Sequence, residues 1–203
     1  MSRICILGGT FNPIHNAHLA MADAALEQAG VDAVWFMPSK KPPHKPGQII
    51  ASEEHRCAMI RMAIRGNYRF FFSDYELQHD GVTYTAETLT RLKEDYKEDN
   101  FCFLVGADSF FQLEKWFHPE IILQHAQLLA VPRAGEETYQ MNHHAQYLRR
   151  HYGADIILLH MEEMKVSSSQ IRDDIRKGIP VRRMLPECVE NYIRENNLYL
   201  GEG

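Results

Sequence analysis

Apolar residues along this chain follow two alternating patterns. Short continuous runs occur at Ile4–Leu7, Ala33–Met37, Phe70–Phe72 (entered from Arg69), Phe101–Val105, Leu128–Val131 and Ile156–Leu159. Most of them stop at glycine or proline. Runs that short and that apolar read as strands buried on both faces of a parallel sheet. Between them the spacing changes to three and four. Leu19, Ala22, Leu26 and Ala29 form one stripe, stopped at Gly30, and Cys57, Ile60 and Ile64 form another. The second stripe follows Ser52 as an N-cap, with Glu53 and Glu54 in the first turn, and ends at Gly66-Asn67. Strand, helix and strand within the first 38 residues predict a right-handed βαβ unit.

The same reading covers the rest of the chain. A polar, loop-rich segment from Asp74 to Thr85 precedes a helix over about 86–96, amphipathic through Leu89 and Leu92. After the fourth strand and Gly106-Ala107-Asp108, short helical stretches run through Phe111 and Leu113 and from Pro119 to His125, with Trp116-Phe117-His118 at the joint. The stretch from Glu136 to His151 is helix-like but polar, and its His143-His144 pair reads as a solvated face. Ser167-Ser168-Ser169-Gln170 has the capping-box spacing ahead of Ile171 and Ile175, with a stop at Gly178. A last helix is expected from Pro186 to Asn196. The fold expected is α/β: a Rossmann-like, doubly wound, mainly parallel sheet in a single domain over 1–203. Its helical C-terminal part is expected over about 167–203.

Composition narrows the function classes. Hydrophobic residues make up 45% of 203, enough for a proper core. A formal charge of −5 argues against a nucleic-acid or anionic-membrane partner, while leaving room for a small anionic ligand at a local basic cluster. The four cysteines, Cys5, Cys57, Cys102 and Cys188, show no CxxC spacing, and two lie inside apolar runs. That suits a reducing, cytoplasmic setting. No secretory leader is read at the start, and no apolar run is long enough to span a bilayer.

The chemistry concentrates in the opening turn, Gly8 to His18. Two glycines, a proline and two histidines three residues apart lie between a buried strand and a helix. Backbone N–H groups, a helix N-terminus and imidazoles converge at such a place, which suits phosphate. The turn is neither GxxxxGK[ST] nor GxGxxG, and His15-Asn16-Ala17-His18 lacks the glutamate of HExxH.

These residues carry a resemblance. GGTFNPIHNAH resembles the GGxFxPxHxGH signature of the nucleotidyltransferase superfamily, whose HxGH turn is similar to that of class I aminoacyl-tRNA synthetases. PPHK (Pro42–Lys45), TYT (Thr83–Thr85), GAD (Gly106–Asp108), KW (Lys115-Trp116) and SSSQIR (Ser167–Arg172) follow in order. Together they resemble the bacterial nicotinate-nucleotide adenylyltransferase family over essentially the whole chain. Two departures stand out: Ala17 replaces the usual glycine, and Phe117 a common tyrosine.

The resemblance implies adenylyl transfer from ATP to nicotinate mononucleotide, giving nicotinate adenine dinucleotide and pyrophosphate. It implies His15, His18 and Arg172 as the catalytic groups. Gly8, Gly9, Thr10, Phe11, Gly106, Asp108, Ser167 and Ser168 would join them around ATP. His44, Lys45 and Arg133 would meet the acceptor phosphate, and Thr85, Trp116 and Phe117 the pyridine ring and its carboxylate. Mg²⁺ is expected to ride mainly on the ATP phosphates. ATP and the mononucleotide are the partners expected, and a homodimer is one assembly left open. Another acceptor, such as nicotinamide mononucleotide or phosphopantetheine, is the enzymatic alternative, and a non-catalytic nucleotide sensor the alternative from another class.

Overall fold

Six parallel strands form one sheet in the order β3-β2-β1-β4-β5-β6. The computed structural model describes residues 1–40, 50–79, 81–132, 136–162 and 164–200. The central strand β1 (Arg3–Gly9) pairs with β2 (Ala33–Pro38) on one side, Cys5 opposite Val34, and with β4 (Asn100–Gly106) on the other, Cys5 opposite Cys102. β3 (Phe70–Phe72) closes one edge, and β5 (Ala126–Val131) and β6 (Ile156–Leu158) the other. The chain winds outward from β1 to β3, then restarts at β4 beside β1 and winds the opposite way. The strand order therefore reverses between β1 and β4. In an open α/β sheet the carboxyl ends of strands at a reversal cannot be covered by a crossover, so a crevice opens there.

The period of two along each strand divides the core. Cys5, Leu7, Val34, Phe36, Cys102, Leu104, Leu129 and Val131 face one layer. That layer contains α1 (Asn16–Gln28), α2 (Glu53–Ile64), α7 (Ser168–Arg176) and α8 (Glu187–Glu195), through residues such as Leu26, Ile60, Ile171 and Val189. Ile4, Ile6, Met37, Phe101, Phe103, Val105 and Leu128 face the other. Packed there are α3 (Thr85–Asp95), α4 (Ala107–Gln112), α5 (Pro119–His125) and α6 (Glu136–Tyr152). Removing each large apolar side chain from water contributes roughly 2–3 kcal/mol, so two-sided strands of this kind anchor the fold. Among the described residues no helix is long and apolar enough to cross a membrane.

Two local expectations are revised. The first helix begins at Asn16, not after His18, because the extended backbone of His15 (φ −146°, ψ 170°) makes it the N-cap. His18 therefore stands in the first helical turn. The polar helix α6 is anchored by Met141, Ala145 and Leu148, all fully buried. Its histidine pair is split. His143 is exposed, but His144 turns inward against Phe110 and Phe111, with ring centroids 5.2 and 5.6 Å apart.

Candidate active site

The turn after β1 is held from several directions. A Cβ built on Gly9 would lie 3.3 Å from the Phe11 ring, and one on Gly8 would lie 3.4 Å from Phe103. Glycine thus lets the backbone itself form the wall. Phe11 has φ +49°, a left-handed conformation that turns the chain sharply toward Asn12. The Asn12 side-chain oxygen accepts from the Ala51 N–H at 3.0 Å and from the Tyr199 hydroxyl at 2.9 Å. Burial pushes the Tyr199 phenol well up, so it remains a donor at neutral pH.

The two histidines form one unit. The His15 N–H donates to His18 Nδ1 at 3.2 Å, and the rings stack with centroids 3.7 Å apart and planes 18° from parallel. Phe11 packs edge-on to His18 at 5.0 Å. His15 is only 6% exposed, and its Nδ1 has no hydrogen-bond partner among the described residues. Burial lowers its pKa to about 4. At neutral pH His15 is therefore an uncharged imidazole, able to donate one hydrogen bond but not to supply a positive charge.

Charge reaches the turn from the C-terminal helices. Arg172 on α7 donates through Nη1 to the Asn12 carbonyl at 2.8 Å, while its Nη2 reaches Ser169 Oγ at 3.4 Å. The Ser168 hydroxyl donates to the Pro13 carbonyl at 2.9 Å. Ser167 caps α7, its Oγ accepting from the Gln170 N–H at 3.2 Å. Ser168 lines the cleft beside the turn; Ser167 is exposed and is not among the lining residues.

Two clefts meet at this turn. One, of about 320 Å³, is walled by His15, His18, Arg172, Asp108 and Met161. The other, of about 400 Å³, is walled by Glu76, Tyr84, Thr85 and Phe117. Gly8, Gly9, Thr10, Phe103, Ser109 and Trp116 belong to both. Gly106 and Phe11 line the first. Trp116 is half-buried, edge-on to Phe103 with centroids 6.1 Å apart, and borders the open space of both clefts. Phe117 is 44% exposed and its ring lies 4.5 Å from that of Tyr84. Thr85 is the first residue of α3, where backbone N–H groups have no helical carbonyl to bond. His44, Lys45 and Arg133 lie outside the described residues.

Sequence reasoning missed several wall residues. Glu76, in a short 3₁₀ turn (Tyr75–Gln78), accepts from the Thr88 hydroxyl at 2.9 Å, and burial raises its pKa. Met161, Glu162, Met164 and Val166, between β6 and α7, line the first cleft. Nothing periodic marks them, because they belong to an irregular connection. Arg56 is buried on α2, and its position four residues before Ile60 on the apolar stripe was the available signal.

Among the described residues, no three His, Cys, Asp or Glu side chains are grouped to hold a metal ion. The acidic residues lining the first cleft are Asp108 and Glu162. Hydroxyls, imidazole and guanidinium suit phosphate oxygens, and so fit a divalent ion that arrives on those oxygens with water completing its shell.

A glycine-rich turn at a sheet reversal, with paired imidazoles and an arginine beside it, is the arrangement that a nucleotidyltransferase requires. The cytidylyltransferase-like family matches residues 6–174, a span that includes the turn, both clefts and Arg172. The chain is 42% identical over 200 residues to a probable nicotinate-nucleotide adenylyltransferase of Lachnoclostridium phytofermentans, covering 98% of this chain and 100% of that protein. It is 36% identical over 202 residues to the nicotinate-nucleotide adenylyltransferase of Bacillus subtilis, covering 98% and 99%. The chain belongs to the nicotinate-nucleotide adenylyltransferase family. The fold is shared with Plasmodium falciparum nicotinic acid mononucleotide adenylyltransferase complexed with NaAD, at a TM-score of 0.81 over 98% of each chain and 21% identity.

Proposed function

We propose that the two clefts divide the reaction between them, the first holding ATP and the second the mononucleotide. The enzyme transfers the adenylyl group of ATP to nicotinate mononucleotide, a step of NAD biosynthesis. An oxygen of the mononucleotide 5′-phosphate forms a bond to the α-phosphorus of ATP. The bond from that phosphorus to the α–β bridging oxygen breaks, and its electron pair leaves with pyrophosphate. The nucleophile is already an anion, so no side chain has to take a proton. What the protein must supply is alignment and stabilisation of charge on the transferring group.

The observation that carries this reading is the wall shared by the two clefts, Gly8 to Thr10 with Trp116. Ligands on either side of it have their reactive ends next to the same backbone. His18 and neutral His15 donate hydrogen bonds to the phosphate chain, and Arg172 supplies the positive charge. Mg²⁺ held on the ATP phosphates, with water completing its shell, would supply further neutralisation of the triphosphate, and Asp108, on the wall of the same cleft, is assigned to the ribose hydroxyls of ATP. Trp116 offers an aromatic face to the pyridine ring. The N-terminus of α3 at Thr85, with the backbone of Phe117, receives the nicotinate carboxylate. His44, Lys45 and Arg133 are assigned to the acceptor phosphate.

The test is a pyrophosphate-release assay with ATP and a panel of acceptors: nicotinate mononucleotide, nicotinamide mononucleotide and phosphopantetheine. The highest kcat/KM is expected for nicotinate mononucleotide. Equal or better use of another acceptor would reassign the second cleft, and ATP binding without turnover of any acceptor would make the protein a sensor.

A further inference from the structure

Arg56 is a buried charge with no part in the reaction as described. It is 2% exposed, and its Nη1 donates to two backbone oxygens, Thr10 at 2.9 Å and Ser39 at 3.0 Å. Its Nε is buried without a partner among the described residues. Thr10 belongs to the wall common to both clefts, and Ser39 lies just past the end of β2 on the wall of the second. Ser39 is itself bonded to the turn, its N–H donating to the Gly9 carbonyl at 2.9 Å. One guanidinium thus ties the phosphate turn to the exit of the neighbouring strand.

Among the described residues this arginine forms no ion pair. The acidic influence on it is exposed Glu53, on its own helix. The other groups that face it are the Cys57 thiol and the Tyr199 phenol. Both are neutral at pH 7, since burial raises the pKa of each. Burial lowers the pKa of Arg56 itself, yet a guanidinium remains protonated in a protein. Taking such a charge out of water without a carboxylate partner is expensive. A neutral amide could bridge carbonyls without that cost. Burial also leaves the field of the charge weakly screened by salt.

We infer that Arg56 is an electrostatic positioning residue for the phosphate turn, its positive charge standing behind Thr10 to stabilise polyphosphate and phosphomonoester anions bound in front of it. Binding of the anion supplies the compensation that no described carboxylate provides. The same hydrogen bonds polarise two peptide units, whose N–H groups are those of Phe11 and Lys40, and make both better donors. This inference rests on the turn being a phosphate site.

The experiment compares the wild type, Arg56→Gln and Arg56→Lys by calorimetric titration with adenosine, AMP, ATP and pyrophosphate. Arg56→Gln is expected to bind adenosine within about twofold of wild type and to lose affinity for ATP and pyrophosphate by on the order of tenfold. Arg56→Lys, which keeps the charge, is expected within about threefold of wild type throughout. A merely structural arginine would weaken adenosine and ATP alike, and that result overturns the inference, as does full ATP affinity in folded Arg56→Gln. If Arg56→Gln does not fold, Arg56→Lys decides. Near-wild-type binding of pyrophosphate by that variant supports the inference, and an equal loss for adenosine and ATP refutes it. Failure of the wild type to bind ATP at all would instead refute the proposed function.

Discussion

The two clefts share a wall but are built from different parts of the chain. The first joins the opening turn to α7, across about 155 residues of sequence: Ser168 bonds to Pro13 and Arg172 to Asn12. The second is made from shorter-range pieces: the strand exit at Ser39, the 3₁₀ turn at Glu76, the start of α3 at Thr85, and Trp116 just after a second 3₁₀ turn. The first is lined by donors suited to phosphate, and the second by an aromatic pair and a helix N-terminus suited to a flat anionic ring. On the proposed assignment, the phosphate chemistry stays on the turn and the second cleft chooses the acceptor.

If that division holds, mutations should separate by cleft. The largest effect is expected in the first. His18→Ala should lower kcat by about 10²–10³-fold, the scale of losing one pre-organised donor, with the melting temperature little changed. Steady-state pyrophosphate release and a thermal melt measure both, and near-wild-type turnover would break the assignment.

Next comes a pH effect on stability from His15. Its folded pKa of about 4 lies below the unfolded value of 6.5. Below pH 6.5 the unfolded chain takes up a proton that the folded protein refuses. Stability should then fall as pH drops from 6.5 toward 4, by up to about 3 kcal/mol, with no contribution from this group above pH 6.5. Urea melts of wild type and His15→Asn across pH 4–7 isolate that slope, which the variant should lack.

In the second cleft, Trp116→Ala should raise KM for nicotinate mononucleotide by roughly tenfold or more, on the scale of one lost aromatic–base stack. Because Trp116 also borders the first cleft, the sharpening observation is KM for ATP. An unchanged value places the indole's work on the acceptor side, and an equal rise would merge the two sites. The smallest effect is expected for Ala17→Gly. Ala17 lies inside the first turn of α1, where a methyl costs no strain, so kcat should stay within about threefold. A collapse in turnover would mean that the methyl itself helps to shape the turn.

Much of this was legible in the residues. The six strands are short apolar runs buried on both faces, and such runs leave few alternatives. Helix limits were off by a residue or two at most sites, and at α1 for a specific reason: a histidine acting as N-cap is not among the residues that usually signal one. His144 was misplaced because its partners, Phe110 and Phe111, come from α4, far away in sequence. Arg56 and Glu76 went unread because a charged residue in a polar context looks like surface until its surroundings are known.

The sequence by itself determined the strand pattern, the glycine-rich turn between β1 and α1, and the set of motifs that marks the family. All of these depend on local spacing, which the backbone's two periods convert directly into structure. Only the tertiary structure decided that His15 is buried and neutral, that Arg172 and Tyr199 both grip Asn12, and that a guanidinium with no carboxylate partner among the described residues bonds to the Thr10 carbonyl. Burial and desolvation are collective properties. They depend on which distant segments arrive to exclude water, and no stretch of sequence carries that information alone.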